Sequence, residues 1–298
     1  MQFGTGTVSE SIVASPQTMN IVLLGTGTST GVPMLGCCCD VCRSCDPRDR
    51  RTRCSALISW GDRNILIDTG ADLYHQALRE GVARVDAVLY THAHADHVHG
   101  IDDLRAFNMV SRQSIPIFGS AATMAVIRRN FSYIFDRGIQ EGFRPRLDPW
   151  DIHGPFSLFG LPVEPIPLRH GSGASSGYRI GPFAYLTDCN GVPETSMERL
   201  GGLELLVLDG LRFRSHPSHF SIGEAIEVAS RIGARRTLLT HLCHEVSHAR
   251  HNRELPPGIE LAYDGQCFHL FVEAAGRTGC LPKPEPRLPR EAADRIRL

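Results

Sequence analysis

No apolar run in the 298-residue chain approaches the roughly 20 residues that a membrane-spanning helix needs, so no span is expected. Residues 1–18 contain neither Lys nor Arg and no continuous apolar core, so no secretion signal is expected there. An excess of charge of either sign is also missing. A net charge of −1 supplies no global field for nucleic acid or an anionic membrane, so any anionic substrate must be met locally. No internal repeat is evident. Ten Cys without a signal segment point to metal ligands or reduced thiols rather than disulfides, and with them to a cytoplasmic location. The 42% apolar and 21% charged content is that of an ordinary globular domain.

The most informative stretch is Thr91-His-Ala-His-Ala-Asp-His97, directly after the apolar run 85–90. Four potential ligands, His92, His94, Asp96 and His97, fall within six residues. Imidazoles packed this densely repel one another when protonated, as carboxylates do when ionised, unless a partner such as a cation sits among them, and their chemistry suits zinc or manganese. The cluster is internal, interrupted by small Ala residues, and follows a strand-like run, which sets it apart from a tag or a surface loop.

The surrounding pattern predicts a strand closing at Gly25, a hairpin from 55–60 and 64–67, a helix over 72–80 and a strand over 85–90. A helix near 101–108, a strand at 115–118 and a helix at 121–131 follow, and then an Arg-, Gly- and Pro-rich stretch at 132–150 that reads as an inserted loop or lid. Short strands are expected at 156–159, 163–167, 178–180, 183–186 and 205–208, a helix at 222–232, a strand at 237–240 and a closing hairpin over 260–272. Residues 1–18 read as a disordered extension, 19–275 as one domain and 276–298 as a Pro- and charge-rich tail. The order fits an α+β fold, two mixed sheets packed face to face with helices outside. Three further ligand-capable residues stand where strands end: His170, Asp188 and His241. Asp68 follows another strand. A second group, Cys37, Cys39 and Cys42, has spacing suited to wrapping one zinc, with Cys38, Cys45 or the distant His244 as fourth ligand.

His-x-His-x-Asp-His followed by a separate His, an Asp and a final His resembles the metallo-β-lactamase fold superfamily over about residues 20–272. That resemblance implies an αββα sandwich with a dinuclear site at one edge. One metal would be held by His92, His94 and His170 and the other by Asp96, His97 and His241, with Asp188 bridging and Asp68 steadying the site from behind. The segments Leu24-Gly-Thr-Gly27, Gly31-Val-Pro33, the Cys loop and Thr240-His-Leu-Cys-His244 are similar to the PhnP-like cyclic phosphodiesterase subfamily. Carried over, that likeness makes Cys37, Cys39, Cys42 and His244 the ligands of a structural zinc.

The implied cofactors are two divalent ions, Mn or Zn, plus that zinc. The implied activity is hydrolysis of a small cyclic phosphodiester, such as phosphoribosyl 1,2-cyclic phosphate, by hydroxide generated from water between the two ions. His219 is the expected general acid, with His216 as competitor and Asp209 to orient it, so His219, Asp96 and Asp209 form the expected catalytic group. Arg105, Arg144 and the backbone of the Gly25–Gly31 turn are candidate phosphate contacts. A ribonuclease Z-like nuclease is the first alternative, weakened by the want of a long basic RNA-clamping arm. A PqqB-like non-hydrolytic protein of cofactor biosynthesis is the second. The expected partner is a small phosphodiester rather than nucleic acid or membrane, and a homodimer stays open.

Overall fold

Period-two alternation along the strands builds the core. In β1 (Gln17–Gly25), Met19, Ile21 and Leu23 face one way while Val22 and Leu24 face the other. The computed structural model describes residues 17–136 and 144–272. β1 pairs antiparallel with β2 (Ser55–Trp60), which turns through Gly61-Asp62 into β3 (Arg63–Ile67). After helix α1 (Leu73–Arg79) comes β4 (Ala87–Leu89), parallel to β3. The metal-ligand motif then runs into the short helix α2 (Ala95–Val98), a 3-10 turn at Ile101–Asp103 and α3 (Leu104–Ser111). Next come β5 (Ile115–Ser120), α4 (Ala121–Asn130), α5 (Ser132–Phe135) and β6 (Leu147–Ile152).

The second half opens with β7 (Phe156–Leu158), β8 (Leu161–His170), β9 (Gly173–Ile180) and β10 (Phe183–Leu186). It continues with α6 (Glu194–Met197), β11 (Leu205–Asp209), α7 (Ile222–Ile232) and β12 (Arg236–Thr240). It closes with α8 (His248–His251), β13 (Ile259–Leu261) and β14 (Gln266–Val272). Two seven-stranded mixed sheets result, ordered β14-β1-β2-β3-β4-β5-β6 and β13-β12-β11-β10-β9-β8-β7. Their facing sides share one apolar core in which Ile21, Ile58 and Ile65 meet Tyr178, Phe183 and Val207. The outer face of the first sheet packs Leu24, Leu66 and Val88 with Leu104 and Ile127 of the helices. On the other side, α7 lays Ile222, Ala225, Ala229 and Ile232 on Leu206 and Leu239. Each fully buried aliphatic side chain contributes about 1.5–3 kcal/mol. This is the α+β, αββα architecture expected.

Two expected elements are corrected. Residues 260–272 do not form a hairpin: β13 joins β12 in the second sheet, whereas β14 joins β1 in the first. The stretch 132–150 is not a free insertion, since its ends form α5 and β6, and β6 pairs with β5 over six residues. β6 is an edge strand, a position in a sheet where Pro149 is tolerated. The first strand begins at Gln17, two residues before the expected domain start at 19. The rest of the expected 1–18 extension, residues 137–143 of the expected lid and the 276–298 tail lie outside the described residues.

Candidate metal centre

The donor side chains sit at or just beyond the C-terminal ends of β4, β8, β10 and β12. β4 delivers Thr91–His97, β8 ends on His170, β10 is followed by Asp188 and β12 by His241. His92, His94 and His170 bring one ligand atom each to a common point, and Asp96, His97, Asp188 and His241 do the same beside it, all within 4.8 Å in each group. His170 Nε2 and His94 Nδ1 are 3.4 Å apart. Two nitrogens about 2.05 Å from one tetrahedral zinc would stand roughly 3.3 Å apart, so the spacing fits a shared cation. Asp188 lies between the groups: Oδ1 is 3.8 Å from His92 Nε2 and 3.2 Å from His241 Nε2, and Oδ2 is 3.1 Å from His97 Nε2.

The Nε2 atoms of His92, His97 and His241 are buried and have no hydrogen-bond partner. Orphaned buried nitrogens are costly unless something else meets them, and here they converge on carboxylates. Without a cation, protons take its place. Burial opposes charge on His241, but Asp188 and Asp96 outweigh it and hold the pKa at about 9. Burial likewise opposes charge on His97, and Asp188 and Asp68 outweigh it. Burial would neutralise Asp188, yet His241, His97 and His92 hold its pKa well below the ordinary carboxylate value. His92 is kept neutral by burial and by the neighbouring His97. These residues fit divalent ions.

Asp68 stands behind the second group. It accepts from Thr91 N (2.8 Å) and Thr91 Oγ1 (2.7 Å), and its Oδ2 meets His97 Nδ1 at 2.7 Å. A proton on His97 Nδ1 leaves Nε2 free for a metal, and such outer partners fix ring orientation. The 68–70 segment is clamped to the motif by Thr69 N to His97 O and Gly100 N to Thr69 O, both 2.8 Å. That approach requires glycine: a Cβ on Gly100 would lie 2.2 Å from Gly70 O. Asp68, Asp188 and His241 all adopt left-handed backbone, at φ 61°, 55° and 61°. Each such non-glycine residue costs on the order of 1–3 kcal/mol, and this strain gathers where the donors converge. Sequence reasoning missed it, because no residue type announces it.

His219, buried, pairs Nδ1 with Asp209 Oδ2 at 2.8 Å, and its ring stacks on that of His241 at 4.4 Å and 9°. It also lies 4.9 Å, ring to ring, from His170, itself held by Nδ1 donating to Ser218 O. Ser221, not His219, caps α7, through a capping box with Glu224. His216 instead turns Nδ1 to accept from Ser218 N. In the Gly25–Gly31 turn, four of the expected anion donors are already taken within the fold. Thr26 N donates to Asp264, Gly27 N to Thr52 O, Thr28 N to Leu242 O and Gly31 N to Thr28 O. The two arginines do not reach the site: Arg105 lines a separate apolar groove beside α1 and α3, and Arg144 donates to Ile134 O.

Cys37, Cys39, Cys42 and His244 form a separate group, with His244 Nδ1 3.3 Å from Cys37 Sγ and 3.5 Å from Cys39 Sγ. The Cys42 N–H, with His244, pulls the Cys39 thiol down to about 6, so it is ready to ligate, while burial pushes Cys42 up to about 11. Cys38 and Cys45 are exposed and lie outside the group. Among the described residues no helix is long and apolar enough to cross a membrane.

The family profile of the Beta-lactamase superfamily domain matches residues 63–242, more than half of the chain. A solved diphosphatase of the PhnP family is 38% identical, with a TM-score of 0.82, over 87% of this chain and 99% of that one. A Porphyromonas gingivalis protein named octanoyltransferase is 41% identical over 252 residues, 83% of this chain but 51% of its own length, so the chain spans about half of that relative. Coenzyme PQQ synthesis protein B of Methylobacterium nodulans is 28% identical over 229 residues, covering 64% of this chain and 73% of that protein.

Proposed function

We propose, from the premise that this chain belongs to the beta-lactamase superfamily of metal-binding hydrolases and is PhnP-like within it, that it hydrolyses small phosphodiesters, cyclic ones included. The observation that carries this reading is the Asp209–His219 pair set against both donor groups. A protein that only stored or carried metal would have no use for an oriented acid–base imidazole beside it.

His92, His94 and His170 would hold one divalent ion and Asp96, His97 and His241 the other, with Asp188 shared, and Zn or Mn suits both. Two ions at such a site lower the pKa of water and neutralise phosphoryl oxygens. The chain's own part is acid–base and positional. His219, its Nδ1 held by buried Asp209, presents Nε2 to the departing alkoxide and gives it a proton. Stacking on His241 limits the ring's rotation. The cleft in front, about 770 Å³, lies between α4, the β8–β9 turn and residues 217–218 and is sized for a small ligand. Cys37, Cys39, Cys42 and His244 would hold a zinc that fastens the Cys loop to the segment bearing His241.

A second reading, cleavage of a diphosphate linkage, is favoured by the PhnP-family diphosphatase neighbour. One panel with metal-reconstituted protein separates the two. It comprises bis-p-nitrophenyl phosphate, a ribose 1,2-cyclic phosphate, a 2′,3′-cyclic nucleotide, a diphosphate diester and an acyl thioester. Turnover of the phosphodiesters ahead of the others is expected. Turnover of the thioester alone would refute phosphoester hydrolysis.

A further inference from the structure

Four of the eight large hydrophobic side chains exposed among the described residues stand on two neighbouring helices, Tyr74 and Leu78 on α1 and Met109 and Val110 on α3. Each has more than half of its surface open to water. Between the helices runs a groove of about 330 Å³, lined by Leu73, Ala77, Val82 and Phe107 together with Tyr74 and Met109. Single exposed apolar residues need no explanation, but a contiguous patch of this kind marks a contact surface. Both helices are tethered where they begin. Leu73 N donates to Gly70 O and Asp103 N to Gly100 O, both at 3.0 Å, and Gly100 N donates to Thr69 O at 2.8 Å. The patch is therefore held in place by the clamp beside the metal donors.

The charges around the patch point to what covers it. Asp102 and Asp103 stand at the start of α3, and Arg112 is its C-cap. Arg105 acts on Asp103 and offsets one of the two acids, and Asp102 accepts only from the neutral Tyr133 hydroxyl, at 3.0 Å. Among the described residues Arg112 pairs with no acid. One negative charge is thus left at the start of α3 and one positive charge at its end. Ten residues of helical rise, about 15 Å, separate them, against a screening length of roughly 8 Å at physiological salt, so they do not satisfy each other. That order makes the face complementary to itself. About a two-fold axis crossing the middle of α3, a second copy lays Arg112 against Asp102 and Asp102 against Arg112. An axis along the helix would instead set acid on acid and base on base. We propose that this chain forms a homodimer through the α1–α3 face. The two α3 helices run antiparallel, and Leu78 and Met109 of both copies pack between the charged ends.

Sedimentation velocity of metal-loaded full-length protein over a concentration series tests this. The expected species has twice the mass of the 298-residue chain and a dissociation constant of about 1 µM or below. Leu78→Glu and Met109→Glu change exposed side chains and spare the core, so circular dichroism and metal content should stay as in wild type. Each should weaken association by at least about tenfold. Arg112→Glu alone and Asp102→Arg alone should each weaken it by about fivefold, since every contact across a two-fold axis occurs twice. The double variant carrying both changes should recover wild-type affinity, because the reversed charges meet again across the axis. A monomer at every concentration would overturn the proposal and leave the face to residues 276–298 or to another protein. A dimer indifferent to both glutamates would overturn it by placing the contact elsewhere. A double variant no better than the single ones would overturn the antiparallel arrangement.

Discussion

At the scale of the residue, the donor atoms were legible because their chemistry is unusual: three His and an Asp within six residues have few stable explanations besides a cation. Strand-end positions then pointed to His170, Asp188 and His241, and the structure brings all three to the cluster. What stayed hidden depends on distant partners. Arg105 and Arg144 looked like phosphate contacts until their real neighbours were known, and the left-handed backbone of Asp188 and His241 has no signature in residue type. The titration of His241 leads to a prediction. Its folded pKa is raised to about 9 from an ordinary 6.5, so in metal-free protein its ion pairing stabilises fully below 6.5 and is lost as pH rises through about 9. A bound metal needs the neutral imidazole and displaces that proton, so metal affinity rises over the same interval. The unfolding midpoint of metal-loaded protein minus that of metal-free protein should widen between pH 6.5 and 9. A gap that narrows would contradict the proton-for-metal exchange.

At the scale of the element, local apolar pattern made β2, β10 and α7 readable to the residue, while β1 begins ahead of its expected start. The errors came where pairing is decided from afar. β13 and β14 are adjacent in sequence, yet Tyr263-Asp-Gly265 carries the chain from one sheet to the other, which local pattern cannot distinguish from a hairpin turn. Pro149 and two acids disguised β6, which survives because an edge strand needs fewer ladder bonds. The clamp between residues 68–70 and the 96–100 turn is an element-level device, and Gly100 is its closest point. Gly100→Ala would push a methyl into Gly70 O and should cost on the order of 1–3 kcal/mol of stability. Because the clamp also positions Asp68 against His97, metal content at the His/Asp groups should fall along with the unfolding midpoint. Thermal melts and metal analysis of this variant check both, and an unchanged midpoint would show that the close approach is not required.

At the scale of the whole molecule, two sheets meet over one core and the donor residues gather at one place, an arrangement implied by the motif order, and the fold matches that of the PhnP-family diphosphatase. The Cys/His group lies at the far end of the segment that holds His241, and Leu242 between them pairs with Thr26 and Thr28. A cation there would therefore brace both halves of the fold, since a ligand that binds only the folded state stabilises it by mass action. His244→Ala should lower zinc content by one ion per chain and reduce the unfolding midpoint, with the His/Asp groups still able to take metal. Undiminished zinc content would remove His244 from the ligand set. The proposed activity meets its most direct test in leaving-group dependence. Metal-loaded wild type and His219→Ala are compared on methyl phosphodiesters whose departing alcohols range from p-nitrophenol to simple alkanols, with metal content measured in both. If His219 donates the proton, its loss matters little for nitrophenolate and grows to about 10²–10⁴-fold for alkoxides, at unchanged metal content. A loss that is uniform across the series, or that tracks missing metal, would contradict that role.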